Sequence, residues 1–191
     1  MDPAVQRQAA KLRLATLLAG LESGTVGVLW MLAWLGVSSA WQQRSFWAAE
    51  NLMATAFDRT SSLAPIFTWS TCAGLALYVL IYSLLGAIFA WIVRDRAPAR
   101  RTMLLSVLLA VSWYYVTFHW AFKTILPMVA LLHVERATLV GHLLYGTALG
   151  RFPLYVQRLM NPTPPAPAPT PAVEAPVATV EVPDQGPLSE S

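Results

Sequence analysis

The chain is 191 residues long, with 56% hydrophobic and only 12% charged residues, a composition too apolar for an ordinary soluble domain. Its net charge of +3 conceals an asymmetry: all 13 basic residues precede residue 161 while four acids (Glu174, Glu181, Asp184, Glu190) follow it, so the body before the tail carries +7. The bases flank apolar stretches instead of lining one face, which argues against nucleic acid as a partner, and a single cysteine, Cys72, excludes a disulfide framework within the chain.

Residues 1–13 form a short basic segment with Arg7, Lys11 and Arg13, and residues 14–40 follow with one charge, Glu22, in 27 positions. A helix needs roughly 20 apolar residues to cross the hydrocarbon core, so this is the first expected membrane span. The basic start and Ser38-Ser39-Ala40 resemble a cleavable secretory signal. The run, however, far exceeds the roughly 7–15 residues of a signal core and contains Glu22, so an uncleaved span is the reading. Between residues 41 and 65, Ser45 is an N-cap candidate ahead of good helix formers with apolar residues at helical spacing. This predicts a short helix, either lying in the membrane interface with Phe46, Trp47 and Met53 in lipid or capping the bundle.

Residues 66–93 carry no charge in 28 positions and residues 102–122 none in 21, giving the second and third spans. Between them lies a hairpin holding Arg94, Arg96, Arg100 and Arg101. Residues 123–132 are apolar but too short to cross, and Pro127 would break a continuing helix, which predicts an interfacial or re-entrant piece. A fourth span is expected over residues 137–156, interrupted by Arg151 and Pro153. From residue 161 the character changes: nine of 31 residues are proline and none is aromatic. Such a segment cannot bury enough apolar surface to offset its ordering entropy, so a disordered acidic tail is expected. Pro162-x-x-Pro165 and Pro164-x-x-Pro167 match a proline-recognition pattern that arises in any proline-rich tail; the tail reads as inert and solvated.

Four spans divide the charges into two sets. Both termini and the 94–101 hairpin hold Arg7, Lys11, Arg13, Arg94, Arg96, Arg100, Arg101, Arg151 and Arg158; the other side holds Arg44, Arg59, Lys123 and Arg136. The positive-inside rule then places both termini in the cytoplasm. Aromatic residues Trp34, Trp41, Trp47, Trp69, Trp113, Tyr114, Tyr115 and Trp120 gather toward the opposite face, as an outer belt would, with Trp91 as a cytoplasmic counterpart.

Gly20, Gly24 and Gly27 form one stripe of the first span, and Gly146 and Gly150 repeat the four-residue spacing in the fourth. Small residues at this interval let membrane helices approach closely. The expected use is a contact between spans one and four, with homodimerisation as the alternative. Glu22 is an ionisable residue inside an apolar span, which by default marks a functional site. His142, with Tyr145 close by, lies at similar depth and could share a proton or ion pair with Glu22. Glu22 points away from the glycine stripe, however, which leaves Ser83 or Tyr82 of the second span as other partners. His119, His133 and His142 are candidate haem or metal ligands, though no tight ligand spacing exists and no metal or other cofactor is expected. Glu50, Asp58 and Glu135 read as exposed acids paired with Arg59 and Arg136. Nothing resembles a phosphate loop, a nucleophile elbow or a paired-carboxylate site, so no enzymatic activity is expected.

Leu17-Leu18-Ala19-Gly20 with Gly24, together with Gly141-His142-Leu143-Leu144-Tyr145-Gly146-Thr147-Ala148-Leu149-Gly150, resembles the YagU-like group of small bacterial inner-membrane proteins. The resemblance covers about 140 residues and implies a four-helix inner-membrane protein without an assigned reaction; it carries over no catalytic residues. The long 41–65 segment and the proline-rich tail depart from that pattern. The expectation is therefore an all-α, polytopic four-helix bundle over residues 14–160, in the bacterial inner membrane. A non-enzymatic accessory or helix-packing role, with lipid and other membrane subunits as partners, leads over transport through Glu22 and His142 and over a haem-binding redox subunit.

Overall fold

A computed structural model describes residues 2–63, 66–93 and 98–161. Arg94 and Arg96 of the expected hairpin and the proline-rich tail beyond Asn161 lie outside the described residues. Every regular element among the described residues is helical: α1 (Pro3–Trp41), α2 (Ala48–Ala54), a 3₁₀ turn (Arg59–Leu63), α3 (Trp69–Val93), α4 (Ala99–Tyr115), a π-helical turn (Val116–Ala121), α5 (Phe122–Ile125), α6 (Pro127–Leu132), α7 (Glu135–Leu149) and α8 (Phe152–Met160). Three helices are long and apolar enough to cross a membrane: Pro3–Trp41, Trp69–Val93 and the continuous stretch Ala99–Ile125.

Helix α1 begins where the Asp2 carboxylate accepts from the Ala4 N–H at 2.8 Å, with Pro3 in the first turn, where a missing N–H is harmless. Its 39 residues span about 58 Å, well beyond a hydrocarbon core. Residues 2–14 are exposed throughout, so only the remainder packs. Val28, Met31, Leu32 and Leu35, at helical spacing, form the core stripe. The helix ends in a Schellman motif: Gln43 adopts φ 57°, Arg44 N–H reaches the Ser39 carbonyl at 2.9 Å and Gln43 N–H the Ala40 carbonyl at 3.0 Å.

Helix α1 is central. It packs against α3 on one side and α7 on the other, while α4 lies on the far flank of α7. The glycines set these seams, though not as the sequence suggested. Gly20 and Gly24 face α3: a Cβ at Gly20 would stand 2.6 Å from Ala90 Cβ, and one at Gly24 2.8 Å from the Tyr82 carbonyl. The answering residue is Gly86, where a Cβ would lie 2.5 Å from the Gly20 carbonyl. Only Gly27 meets the fourth helix, against the Tyr145 ring, and Gly146 and Gly150 instead admit Ala110, Ser106 and Met103 of α4. The stripe therefore serves α1 with α3 first; the expected contact between spans one and four is present, with Gly141 against Met31, but Gly27 is the stripe's one contribution to it.

The fourth element also departs from expectation. Helix α7 starts at Glu135 and stops at Leu149, and its 15 residues cover about 22 Å, so a fourth crossing at this position would have to be completed by the residues that follow it. Pro153, with no N–H and a ring that would collide with the Leu149 carbonyl, forces a new helix, α8, in place of a span running to residue 156. The third span gains length, reaching Ile125 through the π-helical turn.

Helix α2 is a bundle cap. Ala49, Glu50, Asn51, Leu52, Met53 and Ala54 are buried, and α2 packs on α3. Gly74 permits this approach: a Cβ there would sit 1.9 Å from the Glu50 carbonyl. Thr71 Oγ1 donates to Asn51 Oδ1 at 2.5 Å, pinning the cap. Of the three side chains expected in lipid, Met53 is 3% exposed, and the Phe46 ring lies against Gly36. Beyond the third span, Leu126 (φ −132°) and Pro127 make the expected break before α6.

Candidate functional site

Glu22 and His142 are not brought together. Glu22 pairs with Arg158 of α8, and both side chains are partly solvent-accessible, at 36% and 62%. Arg158 also lies over the Tyr155 ring, 5.4 Å from its centroid. Helix α8 packs against α1 to make this contact. Neither Ser83 nor Tyr82 holds Glu22: Ser83 Oγ instead shares a hydrogen bond with Thr25 Oγ1 at 2.7 Å.

His142 anchors a different cluster. The Thr138 carbonyl can only accept, so the imidazole Nδ1–H donates to it at 2.8 Å, and Nε2 then accepts from the Tyr82 hydroxyl at 2.7 Å. Tyr145, fully buried, donates its hydroxyl to the Tyr82 carbonyl at 2.8 Å. Tyr82 lies edge-on to both His142 (5.6 Å) and Tyr145 (4.9 Å), and Tyr114 closes on His142 from α4 at 5.4 Å. These long side chains tie α3 to α7 across the interior with every His142 nitrogen occupied. An axial bond from His142 to a haem iron would require breaking the Tyr82 contact. His119 is exposed, stacks on Tyr115 and lies 3.7 Å from Glu135, which also accepts from the Tyr114 hydroxyl at 3.2 Å. His133 sits in the α6–α7 connection, where desolvation, helped by His142 and Arg44, pushes its pKa down to about 4. No three His, Cys, Asp or Glu side chains gather at metal-binding range among the described residues.

The remaining acids differ from expectation as well. Asp58 turns back to Thr60 N–H and Oγ1, at 2.9 and 2.7 Å, and Arg59 has no carboxylate partner among the described residues. Glu135 serves Tyr114 and His119 and not Arg136. Glu50 is 1% exposed, and among the described residues it has no cation in ion-pair range and its Oε2 has no hydrogen-bond partner. Burial pushes its pKa up to about 7, opposed only by its own backbone N–H.

Between α3 and α4 the bundle does not close. A cleft of about 440 Å³ runs between Leu77, Tyr78, Ile81 and Tyr82 on α3 and Trp113 with the π-helical turn on the other side, roofed by Met53 and Ala56. π-Helical turns widen a helix locally and recur at functional sites. Thr117 does not offer its hydroxyl to the cleft, since that group is spent on the Trp113 and Tyr114 carbonyls at 2.8 and 3.2 Å. The Trp113 indole nitrogen is closed off from solvent and acts on the Tyr82 hydroxyl across the cleft's inner wall. A second hollow of about 420 Å³, lined by Arg59 and Thr55, adjoins the cleft and shares Ile125 and Leu126 with it.

The sequence reading assigned Tyr82 another role, as a possible partner of Glu22, put Trp113 in the outer belt, and did not indicate this cleft. A signal was present: Gly74, Tyr78, Tyr82 and Gly86 recur every four residues along the second span, and tyrosines at mid-span lie too deep for an interfacial belt. Of the belt residues, Trp41, Trp69 and Trp120 are exposed at 86%, 90% and 68%, whereas Tyr114 is buried and Trp34 turns its indole N–H to the Ala137 carbonyl at 2.9 Å. Comparison with known protein families, with curated proteins and with solved structures gives no match for this chain.

Proposed function

We propose that this chain is a small integral protein of the bacterial inner membrane, YagU-like, with both termini cytoplasmic, and that it acts as a non-enzymatic accessory subunit through its helix surfaces. One observation carries the reading: the polar side chains that meet between helices are spent on holding those helices together, while a broad apolar surface is left outward. Tyr82, His142, Tyr145, Thr25 and Ser83 all bond across helix seams. Outward, Leu29, Trp30 and Val37 of α1 and Leu80, Leu84 and Ile88 of α3 are each about half exposed, a surface suited to lipid and to partner helices. The nine-to-four distribution of basic residues supports the orientation.

Purification from native membranes, followed by mass spectrometry and an absorbance spectrum, tests the proposal. Polypeptides co-purifying at fixed stoichiometry, with no visible band, are expected. A Soret band would replace this reading with a redox subunit. Flux in liposomes that depends on pH and disappears in Glu22→Gln, with folding intact, would replace it with a transporter.

A further inference from the structure

Two neighbouring hollows of unlike chemistry share a wall. The α3–α4 cleft is lined by no side chain that is charged at neutral pH, and the Tyr82 and Thr117 hydroxyls on its wall are engaged elsewhere. The adjoining hollow presents Arg59, whose guanidinium has no carboxylate partner among the described residues. A cleft of about 440 Å³ is too small for a partner helix: a cylinder roughly 10 Å across would fit for about one turn. It is ample for a flexible hydrocarbon chain, within the roughly 300–1,000 Å³ range of small-molecule sites. An occupant with an apolar body and a negative head matches both compartments at once, the head meeting Arg59 where the helices end and the body lying along α3.

We propose that the cleft between α3 and α4, together with the Arg59 hollow, is a binding site for one anionic phospholipid of the surrounding bilayer, an acyl chain in the cleft and the phosphate on Arg59. This is independent of the accessory-subunit reading, since a bound lipid requires no partner protein.

The test uses the full chain in mild detergent, equilibrated with phosphatidylglycerol or with phosphatidylcholine of identical chains, and native mass spectrometry of the lipid retained. One phosphatidylglycerol per protein is expected, with phosphatidylcholine retained less. Arg59→Gln should reduce phosphatidylglycerol retention about five-fold, the worth of one interfacial arginine. Ala121→Leu, which narrows the cleft, should reduce retention of both lipids. Inorganic phosphate at millimolar concentration should displace neither; displacement would mean that a head-group site alone is present and would overturn the proposal. Equal retention of the two lipids, or wild-type retention in Arg59→Gln, would also overturn it. A readout on the unaltered protein guards against misfolded variants: phosphatidylglycerol with brominated acyl chains should quench tryptophan emission more than brominated phosphatidylcholine, through Trp113 and Trp120 in the cleft wall, and equal quenching sinks the assignment.

Discussion

Helix α3 has two working faces, and they are built on opposite terms. Toward α1 it presents Ser83, Gly86, Ala87 and Ala90, and the backbones come so close that no Cβ fits at Gly20, Gly24 or Gly86. Toward α4 it presents Leu77, Tyr78, Ile81 and Tyr82, and a cleft stands where a seam would be. Without a hydrophobic drive between helices in lipid, close backbone approach and interhelical hydrogen bonds do the joining. A face of bulky side chains lacks the first of these. One helix can thus be locked on one side and open on the other.

The largest effect should come from breaking the closed face. At Gly86 an added side chain meets backbone of α1 on arrival, with no flexible group to yield. Gly86→Leu should therefore remove about 3 kcal/mol or more of stability, read as loss of helical signal at lower denaturing detergent. If Gly86→Leu unfolds like wild type, the account of the closed seam is wrong.

Glu50 links the two faces, because α2 both docks on α3 at Gly74 and roofs the cleft through Met53. Its carboxyl, pushed up to about 7 by burial, holds its proton in the folded state and loses it at about 4.5 when unfolded. The folded form therefore binds more protons between these values. Stability should be greatest below about pH 4.5, decline as pH rises toward 7 and level off above it, with a total loss of about 3 kcal/mol. Glu50→Gln should flatten that slope and be the more stable protein at pH 8. A wild-type melting profile that is level from pH 5 to 8 would show that the acid is solvated and the roof loosely seated.

These two residues also show where sequence is informative. The spans at 14–40 and 66–93 were legible because contiguous apolar character reports the solvent directly, and Pro127 and Pro153 mark breaks for a covalent reason. A glycine stripe announces close approach without naming the partner, so Gly20 and Gly24 could not be assigned to Gly86 on α3. Glu50 read as a surface acid, since nothing local to α2 says that Gly74 lets it bury. The Glu22–Arg158 pair joins residues 136 positions apart and depends on how α8 packs against α1 after the break at Pro153. Burial and pairing at long range are properties of the packed chain, and only the packing reveals them.

A smaller effect is expected at the floor of the open side. Tyr82→Phe keeps the ring against His142 and Tyr145 but removes the proton donated to His142 Nε2, leaving that nitrogen unpaired in the interior. The loss should be about 1–2 kcal/mol, in the range for a stranded buried acceptor and near the upper end for membrane hydrogen bonds. A neutral Tyr82→Phe would mean that water or lipid from the cleft already reaches His142, and the division between locked and open faces would then fall one layer deeper.

The smallest effect sharpens the comparison most. Ala121 lines the cleft from the π-helical turn, and leucine there adds three carbons to a hollow of about 440 Å³ while favouring helix. Its unfolding midpoint in detergent should match wild type within about 0.5 kcal/mol, the span of substitutions that disturb no packed feature. Leucine introduced at Gly86 and at Ala121 sets a similar side chain into each of the two interfaces of α3. A large loss at the first and none at the second would show that its two neighbours are held by different physics. Similar losses at both would mean that α4 closes on α3 in the folded protein, and the lipid site would vanish with the gap.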